Sequence, residues 1–75
     1  MNPTKVFSIL DKSELAKDKA GDYHNELYLF IVHWNGTDIY MVEMQRKGDY
    51  KDALSDYNNS VFIKTLKELK TRVSA

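Results

Sequence analysis

Apolar positions follow two different rhythms along this chain. From Glu26 to Met44 most positions are branched, aromatic or otherwise apolar, and the run is broken at Asn35-Gly36. Two such runs about an Asn-Gly pair predict an antiparallel hairpin, with strands over 26–34 and 37–44. Asn-Gly supplies the two positive-φ positions of a type I′ turn, whose twist matches that of the flanking strands. That turn implies a register. Trp34 faces Thr37, Val32 faces Ile39, Phe30 faces Met41 and Tyr28 faces Glu43 on one side of the ribbon. On the other side His33 meets Asp38, Ile31 meets Tyr40, Leu29 meets Val42 and Leu27 meets Met44.

From Ser60 onward the rhythm is helical. Phe62, Leu66, Leu69 and Val73 recur at i, i+4, i+7 and i+11, with Ile63 widening the stripe. Ser60 suits the cap, and Lys64, Lys67, Lys70 and Arg72 fall off the stripe, so an amphipathic helix is expected over about 60–73. The N-terminal stretch admits two readings. Asn2 as cap, Pro3 at the first helical position and Gly21 just past the end describe a helix with Val6 and Leu10 on one face. Alternatively, Lys5 to Leu10 form a short strand, and Asp11 with Glu14 caps a shorter helix. Residues 46–59 are polar, with Gly48, three Asp and two Tyr, and read mainly as a loop with at most one helical turn near Lys51–Leu54. The whole, residues 1–75, is one small α+β domain.

An antiparallel strand with one wet face should alternate apolar and polar residues, and this hairpin does not. Leu27, Leu29, Ile31, Tyr40, Val42 and Met44 fall on one face; Tyr28, Phe30, Val32, Trp34, Ile39 and Met41 fall on the other. Two strands about 4.8 Å apart are only about one helix wide, so two helices cannot share one face of an isolated hairpin. The aliphatic side is the natural seat for a helix. The aromatic side then needs cover from the N-terminal helix, a second copy of the chain or another protein. Each aromatic buries roughly 150–250 Å², so leaving three exposed would approach or exceed the largest patch of a typical monomer.

Composition narrows the chemistry. Seventy-five residues without cysteine exclude a disulfide framework and any Cys-ligated zinc or iron–sulfur site. Eleven basic residues balance eleven acidic ones, which argues against bulk attraction to nucleic acid or anionic membranes. The charge is unevenly spread, at +1 over residues 1–21, −4 over 22–59 and +3 over 60–75. The N-terminus lacks a basic and then apolar leader, and the longest apolar run, Leu27–Val32, is too short to span a bilayer, so a cytoplasmic protein is expected.

Catalytic and metal-binding constellations are not visible. No serine sits in a nucleophile elbow, and the three glycines are isolated. The acids of 49–56 do not match a calcium loop. His33 and Asp38 pair across the predicted turn as a surface charge pair, and His24 would lie roughly 30 Å from His33 at the far end of one strand. What remains is a non-catalytic protein–protein interaction module without cofactor or metal: an adaptor, inhibitor or regulatory protein that binds itself or a larger protein. Tyr28, Phe30, Trp34 and Met41 of the aromatic face would be its anchors, and Tyr50 and Tyr57 of the acidic loop a second contact. The alternative is a small nucleic-acid-binding regulator using Lys64, Lys67, Lys70 and Arg72.

Overall fold

Asn2 is extended, and its Oδ1 accepts the Lys5 N–H at 3.1 Å, while Pro3 occupies the first turn. These are the two residues that start helix α1, Pro3–Lys12. The computed structural model describes residues 1–47 and 60–74. Residues 5–10 are therefore helix and not strand, and the helix stops at Ser13, well short of Gly21. There the backbone turns extended, the Ser13 hydroxyl donates to the Ile9 carbonyl at 2.7 Å, and the Ser13 N–H donates to the Leu10 carbonyl. Gly21, at φ +89°, serves a different turn. It links strand β1, Ala16–Lys17, to strand β2, Tyr23–His24, and the Asp18 carboxylate accepts the Asp22 N–H within it.

The hairpin is present as strands β3, Tyr28–Trp34, and β4, Ile39–Arg46, but its turn and register differ from the type I′ expectation. Among the described residues none other than glycine has positive φ, so Asn35 does not enter the left-handed region; Gly36 does, at +92°. The Asn35 side chain instead accepts the N–H groups of both Thr37 and Asp38, at 2.9 and 2.8 Å. This local side-chain bonding widens the loop to Asn35–Asp38, closed by the Asn35 N–H to the Asp38 carbonyl. Phe30 now pairs with Met44, Val32 with Val42 and Ile31 with Glu43, a three-residue shift from the expected register. Being odd, the shift turns β4 over relative to β3, and Val42 and Met44 join Phe30 and Val32 on one face. An irregularity beside Trp34 absorbs the odd residue: Tyr40 is pushed out, 60% exposed, between Ile39 opposite Trp34 and Met41 opposite His33.

Helix also gives way to strand near residue 60. Val61–Ile63 form strand β5 against β4, and helix α2 begins only at Leu66 and runs to Val73. Branched and aromatic Val61-Phe62-Ile63 suit a strand. Thr65 caps α2, its hydroxyl accepting the Glu68 N–H at 3.2 Å, the first half of a Thr-x-x-Glu capping box. Ser60 is thus not the cap, and Phe62 leaves the helical stripe.

The five strands pair antiparallel in chain order, β1-β2-β3-β4-β5. α1 and α2 touch each other and pack on one face of this sheet, making a two-layer α+β domain. The core comprises Val6 and Leu10 of α1, Tyr23, Phe30, Ile39, Val42, Met44 and Ile63 of the sheet, and Leu69 of α2. The Tyr23 hydroxyl ties sheet to helix, donating to the Asp11 carboxylate at 2.6 Å. Burial, that hydrogen bond and the Asp11 charge push the phenol up to about 12, so it remains a donor at neutral pH. Widening to five strands covers the aromatic side of the hairpin, because the sheet is now broad enough for two helices there, and not the aliphatic side that the sequence suggested as the helix seat.

Candidate interaction surface

With both helices on the Phe30 side, the opposite face of the sheet carries Leu29, Ile31 and His33 of β3, Met41, Glu43 and Gln45 of β4, and Phe62 of β5. No described helix lies against it. Ile31, Glu43 and Phe62 form one row across three strands, with His33–Met41 on one side of it and His24–Leu29–Gln45 on the other. Leu29, Ile31 and Met41 are half-buried, while Phe62 is 54% exposed.

Glu43 is the polar centre of this face and the one buried charged residue in the described chain, at 9% exposure. Its carboxylate accepts from Gln45 Nε2 at 2.6 Å and from the Ser60 hydroxyl at 3.0 Å, and lies 3.0 Å from His33 Nε2. Burial pushes the carboxyl up, but these hydrogen bonds and the His33 ring outweigh it and hold the group below its ordinary value. The expected His33–Asp38 pair is therefore replaced. The shifted register brings Glu43 diagonally beside His33, and Asp38 is held in the turn by Asn35. Asp22 is pushed up by burial and by the charge of Asp18, against the influence of His33. His24 and His33 are on neighbouring strands of this same face, and no three metal-ligating side chains converge among the described residues.

A carboxylate held low when folded contributes stability above its unfolded pKa, and that contribution is lost as pH falls through the folded value. Glu43→Gln keeps the shape but removes the charge. It is expected to cost about 1–3 kcal/mol at neutral pH and to leave the remaining stability less dependent on acid below pH 4.5. Urea midpoints of the two proteins, compared at neutral pH and below that value, check this. Parallel pH profiles would refute it.

The sequence-predicted anchors separate in space. Phe30 is 1% exposed, in the core between Tyr23 and Met44, and Tyr28 packs half-buried at its edge, 6.3 Å from the Phe30 ring. Trp34 is at the rim of the helix layer, 46% exposed, edge-on to Phe7 with ring centroids 5.3 Å apart. Met41 alone of the four is on the open face. Tyr50 and Tyr57 lie outside the described residues. Of the basic set, Lys64 precedes α2, Lys67 and Lys70 are exposed on it, and Arg72 is 3.7 Å from Glu68 one turn away. Phe62 and the Glu43 network were missed by reading Val61–Ile63 as helix; the Thr65-x-x-Glu68 box is the signal that would have moved the helix start. Among the described residues no helix is long and apolar enough to cross a membrane. Comparison of the chain with family models, curated proteins and solved structures found no match.

Proposed function

We propose that this chain is a non-catalytic protein-interaction module and that a second copy of itself occupies the face of its sheet that no described helix covers. The observation that carries this is Phe62, more than half exposed at one end of the row Ile31–Glu43–Phe62, with half-buried Met41 diagonal to it and half-buried Ile31 at the row's other end. An aromatic anchor among apolar neighbours is the usual centre of a protein interface. The charge at the centre of the face is already satisfied from within, because Glu43 is hydrogen-bonded by Gln45 and Ser60 and pairs with His33. Two copies can therefore meet through a two-fold axis without opposing unpaired carboxylates at the centre. The reading of Phe30 and Tyr28 as anchors is withdrawn, since both belong to the core or its edge.

Light scattering over a concentration series tests the proposal, with Phe62→Lys alongside. Wild type is expected to move toward twice the chain mass. The variant is expected to remain monomeric at the same concentrations with an unchanged circular dichroism spectrum. A wild type monomeric throughout, or a dimer that Phe62→Lys does not weaken, would overturn it.

A further inference from the structure

On the opposite side of the molecule, away from the sheet, α1 and α2 enclose a groove of about 520 Å³. Its floor is Ile9 of α1 and Leu66 of α2, both half-buried, and Thr4 and Ser8 add hydroxyls along α1. Lys5 and Lys12 flank it from α1, seven residues or about 10 Å apart along one side of the helix. Lys70 faces them from α2. Among the described residues no carboxylate lies within ion-pair distance of any of the three, since the acids of these two helices are engaged elsewhere: Asp11 accepts from Tyr23, and Glu68 pairs with Arg72.

We infer that this groove is a docking site for an acidic amphipathic helix of a partner protein. A groove between two helices takes a third helix by its apolar stripe, read as i, i+3, i+4 and i+7 anchors. Ile9, Leu66 and the methylene stems of the lysines would receive that stripe. The three ammonium groups then stand where the carboxylates beside the stripe fall, on both sides of it. Phosphate recognition is the weaker fit. A nucleic-acid backbone needs a continuous polar track, and this floor is aliphatic. The chain's net charge of zero also supplies no long-range attraction. The site is on the helix layer and the Phe62 face on the sheet, so the inference does not depend on self-association.

The test is fluorescence anisotropy with a labelled synthetic helix bearing a leucine stripe and glutamates on its flanks. Two further probes complete it: the same residues scrambled to break the stripe, and a labelled single-stranded oligonucleotide. Saturable binding of the amphipathic helix is expected, weakened at least about tenfold by the scramble. Lys12→Glu with Lys70→Glu, both at exposed positions, is expected to weaken it by a similar factor while the circular dichroism spectrum stays the same. Equal affinity for the scrambled peptide would overturn the inference, as would tighter binding of the oligonucleotide or indifference to the double charge reversal. The Phe62→Lys monomer is expected to bind the helix as wild type does, which separates failure of this site from failure of the dimer.

Discussion

Phe30→Ala is expected to leave the chain largely unfolded at room temperature. The ring is 1% exposed, lies in the central strand of five and is flanked across the sheet by Tyr23 and Met44. Truncating a buried phenylalanine costs about 3–5 kcal/mol in lost transfer energy and residual cavity. A core of this size seldom supplies more than about 3–5 kcal/mol net, so the loss is of the same order as the whole stability. Urea unfolding followed by far-ultraviolet circular dichroism is the measurement. A cooperative transition near the wild-type midpoint would show that Phe30 is not in the core. Trp34→Ala serves as the contrast, since its ring is nearly half exposed and loses chiefly its contact with Phe7.

Leu69→Ala is expected to be nearly as damaging, by a different route. Leu69 is the one fully buried residue of α2, an eight-residue helix too short to persist by itself. A buried Leu→Ala costs about 2–5 kcal/mol, and at a few degrees per kcal/mol for a domain of this size the melting temperature should fall by at least about 10 °C. Lys67→Ala, two residues away at an exposed position, is expected to move it by little. Hydrogen exchange supplies the second readout: α2 amides lose protection before those of β3 and β4. Loss of protection everywhere at once would mean that α2 is not a separable unit.

How much of this was legible in the sequence varies with the element. Asn2-Pro3 marked the start of α1 because a cap and a first-turn proline act through local backbone groups. The strands on either side of Asn35-Gly36 were legible for the same reason, as was the α+β class. The register was not. It depended on whether Asn35 took positive φ or turned its side chain onto the next two N–H groups, alternatives whose registers differ by an odd number of residues. That choice exchanged the partners of Val42 and Met44 and decided which side of the hairpin became core. Strands β1 and β2, two residues each, are too short to show any periodicity; they are held by their neighbours. Phe62 satisfied a helical spacing by coincidence, and the branched residues around it were the better guide. Lys5 and Lys12 were visible as charges, but not as companions of Lys70, because only the packing of α1 against α2 brings them together.

Strand order that repeats chain order has a consequence in time. The pairing of β3 with β4 needs only a four-residue loop to close, which takes no more than microseconds. Contacts between near neighbours in the chain make for rapid folding. The exception is the helix layer, where Val6 and Leu10 share a core with Ile63 and Leu69, more than fifty residues later. On the ribosome the hairpin can therefore form while α1 waits. The apolar side of α1 remains only partly covered until residues 63–69 have been made and have left the exit tunnel.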